Sequence, residues 1–323
     1  MIPFRTTRAL VWAAPALAGL VWSGTVWALN INAIILKELK QNGTHLKLNF
    51  SGMLGDDGVR QLARSRLLKK VEMLDLNTHD LGDAGAQALA ASKYLSHLQT
   101  LNLFNNNIGP EGAAALASSD RFPQLSHLSL WGNHIGRAGA RALAQSENLR
   151  ELVHLDLSGN GIDDAGVVAL ANSPVLKKIR VLRLDKNQVG DRGLAALAAS
   201  PYLENLEILS LSHNEIGVEG MKALAESPYI RKLKQLRLER NRAGDGVTDY
   251  LAGSEVFSNL EELDLQWNGI TETGARTLAR STVLTRLTRL YLWGNEIGNA
   301  GVRAIKESNT LKNVGNDIYP SLD

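Results

Sequence analysis

The sequence predicts an α/β solenoid, one parallel sheet backed by a row of outer helices, and three observations predict it. The stretch Leu128-Ser-Leu-Trp-Gly-Asn-His-Ile-Gly-Arg-Ala-Gly-Ala-Arg-Ala-Leu-Ala144 returns at Leu155, Leu182, Leu209, Leu236, Leu263 and Leu290, and backward at Leu101 and Leu74, in steps of 27 residues. Asparagines keep the same interval from Asn106 to Asn295, and the second half of each unit is rich in alanine. Self-similarity at a fixed period of about 20–50 residues is the mark of a stacked-repeat architecture, in which each unit buries its apolar face only against its neighbours.

Within a unit, Leu128-Ser-Leu130 alternates apolar and polar, so both leucines point to one face and Ser129 to the other. A strand this short needs its copies beside it, as parallel strands joined by a crossover. The crossover is Gly136 to Ala144, with apolar residues at helical spacing and side chains small enough to lie close to the sheet. The glycine recurring at Gly85, Gly112, Gly139, Gly166, Gly193, Gly220, Gly274 and Gly301 predicts a near approach of backbone to backbone. Ser173-Pro174, Ser200-Pro201 and Ser227-Pro228 end the helix and turn the chain back. The asparagine after each strand is expected to bond the backbone of its own and neighbouring turns, a structural role.

The text L-x-x-L-x-L-x-x-N-x-I-G-x-x-G-A-x-A-L-A resembles the leucine-rich repeat family, and within it the ribonuclease-inhibitor-like class with long, helical repeats. The bacterial repeats known for their Gly-Ala-Leu-Ala text are similar at Gly139-Ala140-Arg-Ala142-Leu143-Ala144. The resemblance covers roughly residues 44 to 310, about ten repeats, and implies a horseshoe-like protein-binding scaffold with no shared chemistry.

Taken in order, residues 1–28 read as a signal peptide: Arg5 and Arg8, an uncharged apolar stretch from Ala9 to Trp22, and small residues at Val26-Trp27-Ala28. The alternative is a membrane anchor through residues 9–29, within an uncharged run reaching Leu36. Export to the bacterial periplasm or beyond is therefore expected, with membrane attachment only if the segment stays uncleaved. Residues 29–45 read as an N-terminal cap, 46–310 as the repeats and 311–323 as a C-terminal cap, all one elongated domain. The first repeat, at Leu46-Lys-Leu48, carries one extra residue in Gly52-Met-Leu-Gly55. The unit at Asn241-Arg-Ala-Gly-Asp-Gly246 shifts its second glycine, so its helix start is expected to be distorted.

Composition excludes several functions. There is no cysteine, hence no disulfide, thiol chemistry or lipidated cysteine. Two of the 35 basic residues lie in the leader, leaving 33 against 33 acids, a balance that does not call for nucleic acid or an anionic surface. The glycine-rich turns, such as Asn295 to Gly301, lack the lysine–hydroxyl pair of a phosphate loop and recur in every repeat as structure. Asn42-Gly-Thr44 and Asn49-Phe-Ser51 match glycosylation acceptors, which matter only in a eukaryotic secretory host.

Function is expected on the concave face. Each unit contributes there the residue before its first leucine, the one between the leucines and the two after, and these vary while the frame does not. With strands about 4.8 Å apart, ten strands offer on the order of 45 Å of surface. Two groups stand out as binding candidates. Phe104 and Trp131 share a column with His127, His154, Asp156 and Ser129 beside them. Nearer the C-terminal end, Trp267, Tyr291 and Trp293 are framed by Arg237, Glu239, Asp264 and Arg289. Exposed aromatics with arginines are the composition of protein interfaces. Between the groups Arg183, Asp185 and Lys186 form a solvated charged strip. The two histidines with Asp156 suggest a metal site, and with Ser129 a Ser-His-Asp trio. An open sheet supplies neither the enclosed pocket nor the oxyanion donors such chemistry requires, so no metal, cofactor or catalytic role is assigned.

The chain is thus expected to be a non-enzymatic, monomeric scaffold binding a protein on its concave face. Two alternatives stand beside this. One is a secreted effector or adaptor, although the F-box of some Gly-Ala-Leu-Ala relatives has no room in the roughly 16 residues between leader and first repeat. The other is a GTPase-activating scaffold like the eukaryotic Ran regulator of this repeat class, for which no catalytic arginine is identified by position.

Overall fold

The computed structural model describes residues 30–48 and 53–315; the signal-peptide or anchor segment lies outside them. Ten three-residue strands form one parallel sheet in strict chain order. They are β1 (His45–Lys47), β2 (Met73–Asp75), β3 (Thr100–Asn102), β4 (His127–Ser129), β5 (His154–Asp156), β6 (Val181–Arg183), β7 (Ile208–Ser210), β8 (Gln235–Arg237), β9 (Glu262–Asp264) and β10 (Arg289–Tyr291). The registers place each strand leucine opposite its copy: Leu46 on Leu74, Leu128 on Leu155, Leu263 on Leu290. An α-helix follows every strand, from Gly55–Ala63 after β1 to Gly298–Lys306 after β10. Packed helices need about 8–10 Å between axes and paired strands about 4.8 Å, so the stack bends with its sheet on the inner side.

The core is continuous along the whole array. The two leucines of each strand segment are buried with an apolar turn residue, isoleucine or valine in most units, and an aliphatic residue of the helix, as in Leu155, Leu157, Ile162 and Leu170. A helix α1 (Ile31–Asn42) precedes β1, buries Ile31 and Ile35 and lies against β1. At the other end Leu311 is buried and Gly315 donates its N–H to Thr288.

Three polar ladders tie the units together. The asparagines form the first. Asn160 Nδ2 donates to the carbonyls of Leu130, Leu157 and Ser158, and its Oδ1 accepts from Ile135 N–H. His79 occupies this position one repeat before Asn106 and holds the Leu48 carbonyl through Nε2 at 2.6 Å. The second ladder is made by the serines that end each helix. Ser92, Ser119, Ser146, Ser173, Ser200, Ser227, Ser254, Ser281 and Ser308 each donate Oγ–H to the alanine carbonyl 29 residues earlier, at 2.5–2.8 Å. Sequence reasoning saw these serines only as helix breakers.

The third ladder runs along the recurring glycine. The preceding repeat's backbone comes close there, with the Cα of Asp83 and Asp191 3.0 Å from a Cβ built on Gly112 and Gly220. At Gly85, Gly112, Gly193, Gly220 and Gly274 an aspartate carboxylate from that repeat lies against the glycine as well. Asp83 Oδ1 accepts from Gly109 and Gly112, Asp164 from Gly190 and Gly193, and Asp56 from Gly82 and Gly85. A Cβ on Gly112 would stand 2.5 Å from Asp83 Oδ1 and 3.0 Å from its Cα. Each acid thus caps the helix of the next repeat, meeting its free N–H groups and positive dipole end.

Where this acid is missing, the backbone takes another course. Gly82, Gly109, Gly190 and Gly217, which receive an aspartate, are extended at φ −94° to −116°. Gly136, Gly244 and Gly298 follow Pro110, Val218 and a Glu272 that bonds Arg276 instead; they stand at φ +57° to +58°. Gly55, behind α1 rather than behind a repeat, stands at φ +55°. In that left-handed state Gly55, Gly136 and Gly244 turn their N–H groups forward, to the carbonyls of His79, Asn160 and Asn268. The distortion expected at residues 241–246 is this switch. Asp163, behind Arg137, solves the same problem by capping its own helix at Gly166 while pairing with that arginine.

Candidate binding face

On the inner face the strand leucines turn inward and the alternating residues stand outward, so the columns read from the sequence are columns in space. Phe104 and Trp131 are lateral neighbours with ring centroids 4.7 Å apart and planes tilted by 47°. His127 and His154 lie beside them, stacked at 5.7 Å. Together they border a shallow cavity of about 460 Å³ on the sheet, reaching Met73, Asn102 and Arg183. Phe104 leans over Gly132 and Trp131 over Gly159, two glycines whose left-handed backbone, at φ +69° and +63°, suits a residue without a side chain.

Asp156, expected as a surface contact, is buried instead. It lies between two strands and its Oδ1 accepts Ser158 N–H at 3.0 Å, so its carboxylate serves the turn. Burial raises its pKa against the opposing pull of Ser158 and of Arg183, 3.9 Å away. Arg183 Nε is itself buried without a hydrogen-bond acceptor among the described residues. The same desolvation, with the charge of Arg183 and of His127, lowers His154 to about 4, so at neutral pH this histidine is an uncharged wall of the cavity. Among the described residues no three His, Asp or Glu side chains converge on a point that holds a metal ion.

The C-terminal group is built differently. Arg237 and Arg289 donate from opposite sides to the two oxygens of Glu262, at 2.7 and 2.8 Å. Glu262 is buried beneath them. Burial alone would raise its pKa, but the hydrogen bonds and charge of Arg237 and then of Arg289 outweigh it and hold the carboxyl below its ordinary value. Sequence reasoning named both arginines and passed over Glu262, which fixes them; its place opposite Arg289 and Gln235 in the register was the available signal. Asp264, a second expected contact, is also buried, and it accepts from Gln266 N–H at 3.0 Å within its own turn. Glu239 stays half-exposed, near His213 and Arg240.

Above this layer stand the aromatics. Trp267 and Trp293 meet edge to face at 4.7 Å, and the Arg240 guanidinium lies 5.1 Å over the Trp267 ring. Gly294 closes the other side, where a Cβ would fall inside the indole. Trp267 also has φ +55°, in the column where Thr78, Asn105, Lys186, His213 and Arg240 are left-handed too. The turn demands that conformation, and for a bulky side chain it costs about 1 kcal/mol or more. Trp131, Trp267 and Trp293 keep 40%, 39% and 44% of their surface in solvent. Between the groups, Ser158, Ser210 and Ser212 make a low floor, gathered by Asp185, which accepts from Ser210 Oγ at 2.6 Å and Ser212 N–H at 2.7 Å.

Architecture and face together define a class: a parallel-sheet solenoid whose inner surface varies on a repeated, ladder-bonded frame. A family model described as Leucine Rich repeat matches residues 68–90, 94–117, 148–171, 175–198, 202–225, 258–279 and 283–306, just over half of the chain. The chain belongs to the leucine-rich repeat family. An internalin (inlF) from Listeria monocytogenes str. 4b F2365 shares its fold with a TM-score of 0.51 at 17% identity, covering 91% of this chain and 94% of that one. An internalin C2 (inlC2) from the same organism aligns with a TM-score of 0.45 at 20% identity, over 82% of this chain and 91% of that one. No curated protein matches the sequence.

Proposed function

We propose that this chain is a non-catalytic scaffold that binds a protein partner on the sheet face. One observation carries the reading: three tryptophans stand exposed on that face, over a frame tied together by its own asparagine and serine ladders. Large apolar side chains left in water on a rigid surface are what binding hot spots are made of. Phe104, His127 and His154 serve as the N-terminal contact, and Tyr291, Arg237 and Arg289 support the C-terminal one. The long helical repeats favour the ribonuclease-inhibitor-like class. The leader-like residues 1–28 favour an exported protein, and no helix among the described residues is long and apolar enough to cross a membrane. N-terminal sequencing of the mature chain tests that part, since cleavage predicts a start at residue 29.

The binding reading is tested by site-specific photo-crosslinking in the native envelope fraction. A crosslinker at Ser129 or Gln266 on the sheet face is expected to trap one partner, and one at Arg141 on the helix face none. Trp131→Ala and Trp293→Ala should abolish the sheet-face adduct. Equal trapping from the helix face, or adducts indifferent to the tryptophans, would overturn it.

A further inference from the structure

We infer that the sheet face takes one extended, acidic polypeptide segment carrying two large apolar side chains about nine residues apart. The inference rests on the scaffold reading above and adds the partner's chemistry and length. Trp131 and Trp293 occupy the same column at β4 and β10, six strand intervals apart. At about 4.8 Å per interval this is roughly 29 Å, and an extended chain covers about 3.3 Å per residue. The span therefore corresponds to about nine residues. The column between the two tryptophans is Ser158, Asp185, Ser212, Glu239 and Gln266, lowest over the buried Ser158 and Ser212, so a backbone crossing there meets only polar side chains between its two apolar anchor points.

The charge comes from how the C-terminal layer is stacked. Two of its acids lie underneath, with Glu262 clamped between Arg237 and Arg289 and Asp264 turned into its own loop, while the half-exposed Glu239 sits beside His213 and Arg240. The guanidinium groups of Arg240 and Arg289 stand in solvent over or beside the aromatics. A partner descending on Trp293 thus meets the exposed Arg289 before the buried Glu262 beneath it. Glu262 also holds two arginines in fixed orientation, so ordering them costs an incoming carboxylate little. Guanidinium beside an exposed indole selects an acidic residue next to an apolar one.

Panning a random 16-residue phage-displayed peptide library on the full chain tests this. The enriched consensus should hold two large apolar residues eight to ten positions apart, with Asp or Glu flanking the one that docks at Trp293. A synthetic consensus peptide should lose about ten-fold in affinity on Trp131→Ala, on Trp293→Ala and on Arg289→Gln, each checked to be folded, with a cooperative thermal transition above the assay temperature. Moving its two anchors closer or further by four residues should cost a similar factor, and this series needs no protein variant. A basic consensus, or peptides that depend on one tryptophan only, would sink the inference and leave the scaffold reading standing. If no peptide enriches on the sheet face while polygalacturonate binds there, both fail.

Discussion

The carboxylate of Asp83 accepts the N–H of Gly112, one repeat further along, at 2.7 Å. The acid caps a helix it does not belong to, and together with Ile108 it fills the place where a Cβ on the glycine would stand. Asp83→Ala is expected to lower stability by about 1 kcal/mol, the value of a lost helix cap. Gly112→Ala should cost about 1–3 kcal/mol through overpacking, despite alanine's better helix propensity. In the double variant the carboxylate clash is gone, so the two costs should fall short of additive by at least about 0.5 kcal/mol. Urea denaturation of the four proteins decides it; strict additivity would mean that acid and glycine are unrelated.

Asn160→Ala removes the donor for three buried carbonyls and the acceptor for Ile135 N–H. Leaving such groups unsatisfied is expected to cost about 3 kcal/mol. Because each unit leans only on its neighbours, hydrogen exchange should quicken first in the repeats flanking Asn160 rather than at the ends of the array. A uniform increase along the chain would contradict the one-dimensional picture.

Much of this was legible before any coordinates. The 27-residue period gave the sheet, its register and its outer helices, because identical units admit few ways to stack. The aromatic pairs Phe104–Trp131 and Trp267–Trp293 also followed from register alone. What the text did not disclose were contacts in which one residue's role depends on the repeat before or after it. The Asp-to-glycine cap, the serine-to-alanine ladder and Glu262 between two arginines join residues 25 to 29 positions apart. Asp156 and Asp264 misled for a related reason. Position placed them on the outward face, but a short carboxylate folds back onto the next turn's N–H and is covered by longer neighbours.

His154 gives stability a pH dependence of definite sign. Its folded-state pKa is about 4, against 6.5 for the free side chain, lowered by burial, Arg183 and His127. Between those values the unfolded chain binds the proton and the folded chain resists it. Stability is therefore full above about pH 6.5 and falls as the pH is lowered toward 4. The thermal midpoint of the native protein should drop more steeply across this window than that of His154→Gln, with the two curves running parallel above it. Identical slopes would show that His154 titrates as if in water.

Trp267 holds a backbone conformation that a bulky side chain disfavours. Its column is left-handed, a state that asparagine tolerates and tryptophan does not. Trp267→Asn and Trp267→Ala both erase the edge contact with Trp293 and the stacking under Arg240, interactions of about 0.5–1.5 kcal/mol each. They differ in the backbone: alanine keeps the left-handed cost and asparagine relieves much of it. The asparagine variant should therefore be the more stable of the two by about 0.5–1 kcal/mol, and should recover that much of the loss from the two ring contacts. Equal stabilities would mean that the turn carries no strain. The predicted ordering would mean that Trp267 is held at a cost to folding, which is expected of a side chain kept for contact with something outside the chain.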